Sequence, residues 1–183
     1  MKPFYRSLFV LGIALILVGS SFSAHHEKDH KDSLFQKVFQ KNYSRTCDKI
    51  VDLAKAIPED KYEWSPAEGI RSVRESILHV TSANYFIASR LGSKPPEGVN
   101  PREMESTIQG KEATIEALEK SIQFVKEVTG NVSEDDLATE LDFFRGKAPK
   151  MAAIVVLGDH ASEHLGQLIA YARSIDVVPP WSQ

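Results

Sequence analysis

The amino-acid sequence predicts an all-α fold, a bundle of four long helices. Two observations carry this. Apolar residues recur at three- and four-residue spacing in four separate stretches. No stretch holds the two-residue alternation of a half-buried strand for long enough to build a sheet. Size agrees, since 183 residues suit one ordinary domain with a real core.

The first helix is expected from Ser33 to Ile57. It repeats Phe35, Phe39, Ile50, Leu53 and Ile57 on one face, with Asn42 and Thr46 in the same stripe, and Pro58 stops it. The second opens on a capping box, Ser72-Val73-Arg74-Glu75. Its stripe is Val73, Ile77, Val80, Ile87 and Leu91, closed by Gly92. The third is expected from Pro101 to about Thr129, through Ile108, Ile115, Leu118, Ile122 and Val125, ending at Gly130 and Asn131. The fourth runs from about Pro149 to Ser174. Ahead of it, "ATELDFFRG" reads as a short extended piece. The three connections exceed a tight turn, which allows a crossover topology, and connections of this kind often carry site residues.

The segment before the first helix has a different character. Residues 1–23 combine Lys2 and Arg6, an apolar run from Leu8 to Val18, and small residues at Ser21 and Ser23. That is the pattern of a secretory signal peptide, and it makes an exported, periplasmic or secreted protein the expectation. The apolar run is short of the ~20 residues that span a bilayer, so membrane attachment is expected only if the segment stays uncleaved. Residues 24–32, "AHHEKDHKD", form a polar tether. Cleavage after Ser23 would leave Ala24-His25-His26 as a terminal copper- or nickel-binding motif. The bundle then occupies 33–183. Cys47 is the single cysteine, so it has no partner within the chain and reads as a small buried residue. The formal net charge of −3 is mixed along the chain, without the basic stripe that nucleic acid requires.

Chemistry concentrates in "DHASEHLGQLIAYAR". His160 and His164 lie about 40° apart on the helix wheel and one turn apart along it, so both can reach one ion. They sit on the shoulder of an apolar centre made by Ile154, Leu157, Ala161, Leu165 and Leu168, while Asp159 and Glu163 turn toward solvent. Spacing alone leaves a surface pair, two core histidines and a metal site open. His79 is the only other histidine in the folded part, beside Ser76, Ala83 and Phe86, and is the candidate third ligand. Three protein ligands and one open position describe a catalytic divalent site. Imidazole ligation favours Zn or Ni, with Fe or Mn also accommodated. Asn42, Gln167 and Tyr171 are polar groups expected near the bundle interior that can support the ligands. "HASEH" also matches the inverted zincin pattern, but no glutamate follows it to complete that site. Trp64, Phe143, Phe144 and Trp181 are expected as packing aromatics under the loops.

The ordered set "WSPAEGIRSVRESILHV", "FF", "LGDHASEHLGQLIAYAR" and "VVPPW" resembles the DinB-like (DinB/YfiT-like) superfamily over roughly Ser33 to Trp181. The resemblance implies a four-helix bundle with a long crossover, a divalent metal held by His79, His160 and His164, and homodimers. Members with this triad include thiol-dependent transferases and isomerases, and with the open metal position the expectation is an enzyme of hydrolase or thiol-dependent transferase type. An export segment departs from that pattern, because low-molecular-weight thiol cofactors are cytosolic. The alternative is a non-catalytic metal-binding or interaction module of the cell envelope. The sequence names neither substrate nor catalytic residue.

Overall fold

The structure is a computed structural model that describes residues 33–144 and 146–182. The expected signal segment (1–23) and tether (24–32) lie outside the described residues. Among these residues, the long helices are α1 (Leu34–Ala56), α2 (Val73–Ser89), α4 (Lys111–Gly130) and α5 (Lys150–Ser174), with a single-turn α3 (Met104–Thr107) before α4. A two-stranded antiparallel hairpin, β1 (Glu140–Phe143) with β2 (Gly146–Pro149), precedes α5. The expected extended piece is thus one arm of a hairpin. Among the described residues, no helix is long and apolar enough to cross a membrane.

Local chemistry sets the helix starts. Ser33 and Gln36 form a capping box on α1, and Ser72 and Glu75 form the expected one on α2, each side chain bonding the other residue's backbone N–H. Gln36 does more than cap: its amide also donates to the carbonyls of Thr129 and Val132, tying the start of α1 to the end of α4.

Both α1 and α2 pack against α4 and α5, so α1 and α2 face each other across the core and their connection crosses one end of the bundle. The same holds for α4 and α5, joined through the hairpin. This is the all-α bundle with crossover connections. Its core contains Ile50, Leu53, Ile57, Ile77, Val80, Leu118, Val125, Ile154, Leu157 and Leu168. Cys47 is also buried there, where burial pushes its thiol up to about 12, an inert position.

Three expectations need correction. The buried stripe of α1 runs through Gln36, Phe39, Tyr43, Cys47 and Ile50, which leaves Asn42 exposed rather than interior. Phe144 is 71% exposed at the hairpin turn, with a positive φ of 48°, and does not pack under a loop. Residues 101–129 are not one helix either. Ile108 is extended and Gly110 has φ 78° and ψ 159°, a conformation open only to glycine without strain. The break has a use. It frees the carbonyls of Glu105 and Ile108, which accept from Nη1 of the buried Arg74 at 2.8 and 3.0 Å. Arg74 also pairs with Glu63, so one guanidinium fastens α3 and the α1–α2 connection to α2.

Candidate metal centre

Helices α2 and α5 pack directly, and their shared face carries the three histidines. His79 comes from α2, one turn after the capping residue Glu75, while His160 and His164 come from successive turns of α5. All three are half-buried, and one ring nitrogen from each falls within 4.8 Å of the others. Nε2 of His160 is 3.3 Å from Nε2 of His79, and the ring centroids are 4.4 to 5.1 Å apart. Asp159 and Glu163 are exposed, as the wheel predicts.

Two of the other ring nitrogens have partners. Nδ1 of His79 bonds Oε1 of Glu105 at 3.2 Å, and Nδ1 of His164 bonds Oε1 of Gln167 at 2.7 Å. A carboxylate or amide oxygen only accepts, so both Nδ1 atoms carry the proton and both Nε2 lone pairs face the cluster. Gln167 is itself held, its Nε2 donating to the Tyr171 hydroxyl at 2.8 Å, and Tyr171 packs edge-on against Trp64. Two of the expected supporting residues, Gln167 and Tyr171, therefore form a relay behind His164. Asn42 does not join it; it lines a groove between α1 and α5 with Phe39 and Ser162.

Sequence reasoning missed Glu105. It bridges two cationic or protonated partners, His79 through Oε1 and Arg71 through Oε2 at 2.9 Å. Its signal was Gly110, a glycine inside an expected helix, which marks where the chain breaks and turns α3 toward α2. Arg71, Glu105 and Gln167, with Gly69, Ile70 and Glu75, line an open polar depression beside the cluster.

The electrostatics suit ligation. Burial pulls the His160 imidazole down to about 4, helped by His164, His79 and Arg71. His79 is likewise lowered, first by burial and then by Arg71 and His164, against the opposing pull of Glu105. Both rings are neutral at pH 7, the form in which an imidazole offers a lone pair. Two nitrogens bound to one tetrahedral ion at ~2.0–2.1 Å lie about 3.3–3.4 Å apart, which the His79–His160 separation matches. The donor set fits a divalent cation that accepts imidazole nitrogen.

Comparison with known proteins agrees with the helical fold. The family model described as the DinB superfamily matches residues 42–168. The chain belongs to the DinB superfamily. The match runs from α1 into α5 and takes in all three histidines. The chain is 26% identical over 129 residues to the uncharacterized protein YjoA of Bacillus subtilis (strain 168), covering 68% of this chain and 80% of that one. A DinB-like protein of Bacillus cereus ATCC 10987 superposes with a TM-score of 0.69 at 18% identity, over 79% of this chain and 95% of the other. The crystal structure of B. subtilis YjoA gives 0.64 at 21% identity, over 80% and 97%. A conserved protein from Enterococcus faecalis gives 0.63 at 17% identity, over 75% and 95%. At these identities the solved structures establish the shared fold of the superfamily.

Proposed function

We propose that this DinB-superfamily protein binds one divalent cation through His79, His160 and His164 and is an exported metal-dependent enzyme, of hydrolase or thiol-dependent transferase type. The observation that carries the proposal is the outward engagement of two Nδ1 atoms by Glu105 and Gln167, which leaves Nε2 as the lone-pair nitrogen of His79 and of His164, within a cluster whose ligand atoms lie within 4.8 Å of one another. Histidines serving only as core packing have no reason to share a centre with their acceptor atoms turned inward. The leading segment 1–23 supports export, and Zn or Ni is the preferred ion on ligand chemistry.

A divalent ion held by three neutral imidazoles keeps its full charge and, when bound, polarises an oxygen or sulfur donor brought to it. The chain's own contribution is positional. Glu105 fixes the tautomer and tilt of His79, Gln167 does the same for His164, and Tyr171 fixes Gln167. Burial keeps His160 uncharged. The polar depression beside the cluster is open to solvent and is lined by Glu105 and Gln167, the partners of His79 and His164.

The 3.3 Å contact is also the length of a hydrogen bond between two neutral rings, which is the competing reading of the cluster. Elemental analysis of protein purified without an affinity tag separates the two. We expect close to one equivalent of a transition metal in the wild type and none in the His79→Ala/His160→Ala/His164→Ala variant. A wild type free of stoichiometric metal, or full retention by the variant, overturns the proposal.

A further inference from the structure

We propose that Arg71 is the substrate anchor of this site and that the substrate is a small molecule bearing an oxyanion, a carboxylate or phosphate, next to its reacting group. The inference rests on the metal-site reading and adds the substrate class to it.

Arg71 spends only Nε on an intramolecular bond, to Oε2 of Glu105 at 2.9 Å. Among the described residues, Nη1 and Nη2 make no hydrogen bond and no ion pair. The contrast with Arg74, three residues on, is direct: that guanidinium is buried, and Nε, Nη1 and Nη2 all have protein partners. Arg74 is a fastener, whereas Arg71 is oriented but uncommitted, with its side chain 46% exposed in the wall of the depression.

Its direction is set by the same carboxylate that sets His79. Oε1 of Glu105 takes the His79 Nδ1 proton and Oε2 takes Arg71, so the ligand ring and the guanidinium are one carboxylate apart. The end of the guanidinium opposite Nε presents two parallel N–H groups, a fork that matches two oxygens of a carboxylate or phosphate. Glu75 and Glu105 also line the depression, yet each is engaged: Glu75 caps the Ser72 N–H at 2.8 Å and Glu105 bridges Arg71 and His79. Arg71 is therefore the lining group with unused donors and a positive charge. A substrate held by that fork places atoms adjoining its oxyanion over the histidines, which is the positioning an enzyme needs.

The test uses Co(II) as the metal and glycolate, glycolamide and inorganic phosphate as probes, on the exported form of the chain. Binding is followed by the visible bands of the cobalt and by calorimetry. In the wild type we expect glycolate and phosphate to bind and shift the bands, with glycolate at least tenfold tighter than its neutral amide. In Arg71→Gln we expect oxyanion affinity to fall tenfold or more while Co(II) affinity changes by less than threefold. Arg71→Lys keeps the charge and loses the fork, so a loss between those of wild type and Arg71→Gln is expected. If Arg71→Gln holds no cobalt, the Arg71→Lys comparison decides. Cobalt-loaded protein whose oxyanion affinity is the same in wild type and in the cobalt-binding Arg71 variants overturns the inference and leaves the metal site standing. A wild type that takes up no Co(II) overturns the metal-site reading itself.

Discussion

Two polar constellations lie inside this bundle, and they are built on opposite terms. Between α1, α2 and α4, the Tyr43 hydroxyl donates to Oδ1 of Asn84, Nδ2 of Asn84 donates to Ser121, and Ser121 donates to the Leu118 carbonyl, at 2.9, 2.9 and 2.8 Å. Each donor meets an acceptor and the chain of bonds closes on backbone. Between α2 and α5, the protons of His79 and His164 are directed away, to Glu105 and Gln167, and the acceptor sides face one another. Closed bonding marks a structural network. Acceptors turned inward toward one shared centre mark a place for a cation. Burial alone does not distinguish them, because both lie inside helix interfaces; the direction of proton donation does.

The sharpest way to break the comparison is to remove the group that orients His79. Glu105→Ala is expected to weaken metal binding by about 10–100-fold, with Glu105→Gln between it and wild type, as measured by competition with a chromophoric chelator. Unchanged affinity in both would mean that the carboxylate is ornamental and that the two constellations are of one kind.

Next in size is the converse experiment on the closed network. Asn84→Ala strands the Tyr43 hydroxyl in the core, takes away the donor to Ser121, and is expected to cost about 1–3 kcal/mol in denaturant unfolding. Its metal content should equal that of the wild type, because none of its bonds reaches the histidines. A variant that loses metal along with stability would erase the distinction.

The smallest expected effect is on the pH dependence of the metal-free protein. The folded-state value of His160 is depressed to about 4 from an ordinary 6.5, so between those values the unfolded chain binds more protons. His160 therefore favours folding above about pH 6.5, and that contribution is lost as pH falls toward 4. Unfolding in the presence of chelator at pH 7 and pH 4.5 should show a smaller acid loss in His160→Gln than in the wild type. Equal losses would show that this ring is not shielded in the folded state.

Much of this was legible in the chain because periodicity and caps are local. Ser72 and Glu75 announce the start of α2, Pro58 and Gly92 the ends, and four-residue spacing puts His160 and His164 on one face. The placement of Gln167 and Tyr171 behind His164 follows from the same wheel. Asn42 falls outside because the middle of the α1 stripe runs through Tyr43 and Cys47, an amphipathic and a small residue, rather than through Asn42 and Thr46. Glu105 failed for a tertiary reason. Gly110 alone interrupts the apolar periodicity from Pro101 to Thr129, and the buried guanidinium of Arg74 takes up the carbonyls freed where the helix stops at Thr107 and restarts after Gly110. Pairings set across 31 residues leave no periodic trace.

His79 and His160 stand 81 positions apart in the chain, on helices that meet along one face. Any ion held there is consequently a clasp on a very long loop, drawing the middle and late thirds of the polypeptide together. Cross-links over long loops remove the most freedom from an unfolded chain. Loading and emptying the centre would then govern the resistance of the whole bundle to heat and protease, well beyond whatever reaction occurs at its mouth.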